Sequence, residues 1–142
     1  MIVGITLFAR PYLITHADLL PVNEPPKELF RYAEDVAYST TTADRLIRYY
    51  AQLRGVDEQT LVDTLFCESE FLPEAFNKTD PYGGAYGPAQ FLKPTFDRYS
   101  KEVGEGLQYK NSIDQIKVAA YMFSIGEADQ WTCYRNLKTG NP

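Results

Sequence analysis

The segment Asp57–Glu70, DEQTLVDTLFCESE, decides the fold class of this chain. Asp57 is a residue type that accepts hydrogen bonds from the first free amides of a helix. Behind it Leu61, Val62, Leu65 and Phe66 recur at the three- and four-residue spacing of one helix face. A helix that buries one stripe needs partners, and the flanking sequence supplies them. Upstream, Thr42 is a candidate cap for a helix carrying Leu46, Ile47, Tyr50, Ala51 and Leu53, closed by Gly55. Downstream, Asn77, Asp80, Pro81, Gly83, Gly84 and Gly87 make a turn-rich loop. Pro94 fits the first turn of a helix running to Val103, with Gly104 beyond it. Ser112 and Gln115 have the spacing of a capping box for the last long helix. That helix packs Ile113, Ile116, Ala119, Ala120 and Phe123 and ends near Gly126. The expected fold is mainly α: four helices and one long glycine-rich loop, with room for a minor hairpin in the loop.

The same segment contains the first chemically interesting pair. At about 100° per residue, Glu68 falls roughly 20° from Leu61 on the buried side, while Glu70 falls roughly 180° away on the solvent side. A carboxyl group beside Leu65, Cys67 and Phe71 is expected to be shielded from water, the environment in which a general acid keeps its proton. The plain alternative for any glutamate near a helix end is a solvated or ion-paired surface group, and Glu70 keeps that reading.

The remaining sequence sets the bounds. The chain has 142 residues, 44% hydrophobic and 23% charged, as expected of one globular domain with a short extension. A net charge of -5 gives no reason to expect nucleic acid as a partner. Residues 1–42 lack a clear period and are punctuated by Pro21, Pro25 and Pro26, so they read as an extension with at most one short helix, Lys27 to Val36. The apolar run Ile2 to Ala9, interrupted by Arg10 and Pro11, is either a signal or anchor remnant or an ordinary element edge. The organised domain is expected over 43–142. Cys67 and Cys133 are too far apart for a metal signature, and with His16 the only histidine a structural zinc is not expected. Spacing leaves two buried thiols and one disulfide both open. Tyr82, Tyr86 and Tyr121 read first as packing aromatics, with groove walls as the alternative.

Two motifs add a resemblance. Cys67-Glu68-Ser69-Glu70-Phe71, followed by Pro73, Ala75 and Asn77, resembles the "E-S-x-F-x-P-x-A" signature of lytic transglycosylases. Gly84-Ala85-Tyr86-Gly87-Pro88-Ala89-Gln90 is similar to the family's "G-A-x-G-L-M-Q" element, with Pro88 and Ala89 in place of Leu and Met. Cys67 beside Glu68, with Trp131-Thr132-Cys133 much later, is similar to resuscitation-promoting-factor-like secreted wall lysins. The resemblance spans about residues 43 to 135 and implies a lysozyme-like α+β domain. It also implies Glu68 as catalytic acid and base, with Ser69, Gln90, Tyr82, Tyr86 and Tyr121 as substrate-binding candidates. A Cys67–Cys133 disulfide and an extracytoplasmic location follow from it too. The family's "A-Y-N-x-G" motif is missing, because Tyr121 lacks the following Asn and Gly.

These expectations amount to cleavage of the β-1,4 bond between N-acetylmuramic acid and N-acetylglucosamine in peptidoglycan by a monomer, with no metal or organic cofactor. A lysozyme-type hydrolase would need a second carboxylate, for which Asp80 is the nearest candidate in sequence. A catalytically silent peptidoglycan-binding module is the rival from another class, and an intracellular helical interaction domain is the third reading.

Overall fold

The computed structural model describes residues 39–79 and 82–140, apart from the side chain of Thr40. The expected helix over Lys27 to Val36 and the candidate carboxylate Asp80 lie outside the described residues, as does most of the expected extension. Among the described residues, five α-helices and a small antiparallel sheet follow one another: α1 Thr40–Arg54, α2 Glu58–Ser69, β1 Phe76–Asn77, β2 Ala85–Tyr86, β3 Phe91–Leu92, α3 Lys93–Val103, α4 Ser112–Ser124 and α5 Thr132–Thr139. The chain is mainly helical, as the apolar periodicity requires, and the glycine-rich loop folds into the minor sheet.

Local chemistry explains most boundaries. Asp57 caps α2 by accepting from the Thr60 N–H at 2.8 Å. Gly55 closes α1 in the left-handed region at φ 65°, a conformation open to glycine at little cost. Two caps differ from expectation. Helix α1 starts earlier than Thr42, because Ser39 Oγ accepts from the Thr42 N–H at 3.2 Å. Helix α4 is capped by Asn111, whose Oδ1 accepts from the Ile113 and Asp114 amides, and not by a Ser112–Gln115 box. Gln115 is fully buried and points its amide elsewhere.

Leu46, Ile47 and Ala51 of α1, Leu61 and Leu65 of α2, Phe96 of α3, and Ile116, Ala119 and Met122 of α4 form one buried cluster. Each fully buried large aliphatic or aromatic side chain contributes about 1.5–3 kcal/mol. Helix α4 packs against both α1 and α3, and α2 lies between α1 and α5. Leu53 and Phe66, apolar members of the expected stripes, are exposed instead.

The strands pair in the order β1-β2-β3, with Phe76 opposite Tyr86 and Tyr86 opposite Phe91. The second row across the sheet is Asn77, Ala85 and Leu92. Successive strand residues point to opposite faces, so these rows belong to different sides.

Helix α5 has no counterpart among the four expected helices. It buries no residue completely, and its N-cap Trp131 makes no side-chain capping bond. Its first turn is fastened instead by the Cys67–Cys133 disulfide to the last turn of α2. Closing a loop of 66 residues stabilises the fold by on the order of 4 kcal/mol in the chain-entropy account.

Candidate active site

Glu68 occupies the last turn of α2, just before the chain reverses. Glu70 and Phe71 make that reversal at φ 51° and 62°, in the left-handed region that residues other than glycine seldom occupy. Gln90 is the third such residue among those described, at φ 46°. Strain of this kind costs about 1–3 kcal/mol per residue and persists only where the surroundings impose it. Glu70 and Gln90 both line the groove that contains Glu68.

That groove has two arms. One is a cavity of about 220 Å³ bordered by Glu68, Asn77, Gln90, Thr95, Trp131 and Thr132. The other, about 340 Å³, adds Leu72, Ala75 and Phe76. Glu68, Asn77 and Gln90 border both, so they mark the waist of the groove. The cross-strand row Asn77, Ala85 and Leu92 walls the smaller arm.

Glu68 is half-buried, whereas Glu70 is exposed, the division that the helix phase requires. Its Oε1 accepts the backbone N–H of Cys133 at 3.1 Å. Cys133 is the second residue of α5, so the glutamate caps a helix N-terminus whose own residues offer no side chain for it. Oε2 has no hydrogen-bond partner among the described residues.

The loop Gly87–Gln90 is anchored at every residue. The Gly87 N–H donates to the Ala75 carbonyl at 2.8 Å. Pro88 O accepts from Ser69 Oγ at 2.7 Å. The Ala89 N–H donates to Gln115 Oε1 at 3.3 Å, and Ala89 O accepts from Trp131 Nε1 at 2.8 Å. Gly87 has φ 77°, and a Cβ there would sit 2.5 Å from Gln115 Nε2, so only glycine fits against that amide. Gln90 Nε2 donates to the Gly87 and Ala75 carbonyls at 2.9 and 3.1 Å. Both amide protons are engaged, so Oε1 is the part of Gln90 left for a ligand.

The other sequence candidates are distributed unevenly. Ser69 is buried, and its hydroxyl ties α2 to the Pro88 carbonyl. Tyr86 is half-buried against the Tyr109 ring at 5.7 Å. Tyr82 is 75% exposed at the loop tip. Tyr121 is not brought to the groove: its hydroxyl donates to Glu102 Oε2 at 2.8 Å, and Arg54 lies over its ring. That hydrogen bond, more than burial, raises the Tyr121 phenol above its ordinary value.

Asn77 ends the stretch that resembles the family signature, but an Asn in a turn-rich segment reads by type as a turn former, and no site role was expected of it. Its Oδ1 accepts from the Thr79 N–H and hydroxyl at 3.2 and 2.6 Å, leaving Nδ2 without a partner among the described residues. Trp131 forms the floor, held between Phe91 and Phe123 at centroid distances of 5.5 and 5.2 Å. Among the described residues, Glu68 is the only carboxylate bordering the smaller arm, and no cluster of three His, Cys, Asp or Glu could hold a metal ion.

Comparison with known families finds one match: the model of the transglycosylase SLT domain matches residues 45–129. No curated protein and no solved structure is significantly similar to the chain.

Proposed function

Because the chain belongs to the transglycosylase SLT domain family, whose general business is peptidoglycan, we propose that it is a lytic transglycosylase with Glu68 as its one acid and base. The observation that carries this reading is the single carboxylate bordering the smaller arm, with one oxygen held by the Cys133 amide and the other unengaged. A polysaccharide lies along the groove with the bond between N-acetylmuramic acid and N-acetylglucosamine at the waist. Glu68 Oε2 gives its proton to the glycosidic oxygen as the bond to the muramyl C1 breaks. The resulting carboxylate then takes the proton from the muramyl 6-hydroxyl, whose oxygen bonds to C1. The product is a 1,6-anhydro end, the acid is regenerated and no water is consumed.

In this scheme Asn77 Nδ2 donates to, and Gln90 Oε1 accepts from, polar groups of the sugars that flank the bond. Ser69 acts at one remove by fixing Pro88, and Tyr121 takes no part. The apolar faces of Phe76 and Leu72 suit the apolar side of a pyranose ring. We place the enzyme outside the cytoplasm, where both its substrate and a stable disulfide belong.

The test is a digest of purified peptidoglycan by the full chain and by Glu68→Gln, with fragments read by mass spectrometry. Fragments lighter than hydrolysis products by one water, absent with Glu68→Gln, support the proposal. Reducing-end fragments would make the enzyme a hydrolase and require a second carboxylate. A folded wild type that releases nothing would leave a binding module.

A further inference from the structure

The covalent link beside Glu68 suggests a task beyond stabilising the fold. Cys67 precedes Glu68 in the chain, and Cys133 is both the disulfide partner of Cys67 and the source of the N–H that holds Glu68 Oε1. The carboxylate is thus held between two parts of one cross-link, whose Cα atoms are 5.9 Å apart. The Cys133 amide is its only hydrogen-bond partner among the described residues.

What else fastens α5 is limited. The helix buries none of its residues completely, and Trp131 supplies no capping side chain. Beyond the disulfide, the first turns are held by the Tyr134 ring against Phe123 at 5.3 Å, by Arg135 donating to the Asp129 carbonyl and to Thr132 Oγ1, by the buried Trp131 that precedes the helix, and by the Glu68 bond itself. Cys67 is exposed and Cys133 half-buried, so an external thiolate can reach the bond.

We propose that the Cys67–Cys133 disulfide positions the Glu68 carboxylate through the Cys133 amide, so that cleavage is switched on by oxidation and off by reduction. This rests on the reading of Glu68 as the acid. Reduction by a dithiol delivers two electrons and two protons, leaving a thiol on Cys67 and on Cys133 and the reagent as its own disulfide. The start of α5 then separates from α2, the Cys133 N–H leaves Oε1, and the glutamate side chain samples several rotamers instead of one. The buried core cluster draws mainly on α1 to α4 and includes neither cysteine. The chain is therefore inactive while its thiols are kept reduced and becomes competent where disulfides form.

The experiment compares the oxidised full chain, the same protein reduced by a dithiol, and Cys67→Ser/Cys133→Ser. Peptidoglycan cleavage and amide hydrogen exchange are followed in parallel. The expected result is a kcat lower by roughly ten- to a hundredfold, the effect of misplacing a reacting group by about 1 Å, while KM stays within about twofold. Activity returns on reoxidation. The Cys133 amide loses its protection, whereas the core amides of Ile116 and Ala119 stay well protected, lowered only by the lost loop closure. Undiminished kcat with both thiols free overturns the proposal. So does a loss of kcat with the Cys133 amide still protected, or protection at Ile116 and Ala119 abolished along with that at Cys133, which would make the disulfide a fold staple only. Glu68→Gln tests the underlying reading separately. If that variant keeps turning over, Glu68 is not the acid and the catalytic consequence fails, whatever the exchange data show about the Cys133 amide.

Discussion

The Cys133 backbone N–H donates to Glu68 Oε1 at 3.1 Å, across 65 positions of chain. The glutamate of α2 is thus also the N-terminal cap of α5. One hydrogen bond joins the Glu68-Ser69 motif to the Trp131-Thr132-Cys133 stretch, and it leaves one carboxylate oxygen to the groove.

Gln115 is expected to govern the far wall of that groove. Its Oε1 accepts from the Ala89 N–H, and its Nε2 donates to the Tyr109 carbonyl at 2.7 Å. Gln115→Leu leaves both backbone groups unpaired in the interior and should lower stability by about 2–4 kcal/mol. Urea denaturation checks this through its midpoint. A loss below about 1 kcal/mol would mean that the loop finds other partners.

Asn77 and Tyr121 make opposite predictions. Asn77→Ala removes the unengaged amide at the waist of the groove and should reduce kcat/KM about tenfold, or about 1.4 kcal/mol of transition-state stabilisation. Tyr121→Phe removes a hydroxyl bonded to Glu102 and should leave cleavage within about twofold of wild type. Matched kinetics on one substrate decide both. A large effect of Tyr121→Phe would mean that the groove extends over α4.

These two residues also show how far the sequence could be read. Apolar periodicity revealed α1, α2 and α4 because each buries one stripe, Pro94 and Gly104 bracketed α3, and the phase of α2 separated Glu68 from Glu70. Two signals misled. Ser112 and Gln115 have capping-box spacing, but Gln115 is drawn inward by the Ala89 and Tyr109 backbone groups, and neighbouring Asn111 caps instead. Helix α5 left no local signature, because its cap is supplied by Glu68 and its anchor by Cys67. Asn77 became recognisable only once β1 had set it opposite Ala85 on the groove wall. Two-residue strands carry too little alternation to be seen in sequence.

Tyr50 is expected to shape the alkaline limit of stability. Its hydroxyl is buried without a hydrogen-bond partner among the described residues, and burial pushes the phenol well above its ordinary value. The folded state therefore keeps this proton after the unfolded chain has lost it. The contribution is fully present below about pH 10, the value for a free tyrosine, and is lost as pH rises above it. The stability slope from Tyr50 there is at most about 1.4 kcal/mol per pH unit. Tyr50→Phe should flatten that slope and, at neutral pH, be neutral or stabilising by up to about 1 kcal/mol. Denaturation series at neutral and alkaline pH check both parts, and a clear loss at neutral pH would show that the hydroxyl has a bound partner.

In the proposed reaction Glu68 alone performs both proton transfers, and the muramyl 6-hydroxyl, not water, closes it. Its most direct test is digestion of peptidoglycan in water enriched in the heavy oxygen isotope, with the new chain ends read by mass spectrometry. The account predicts 1,6-anhydro ends without the isotope, and none of these ends with Glu68→Gln. New reducing ends carrying the heavy oxygen would contradict it, because water would then be the nucleophile.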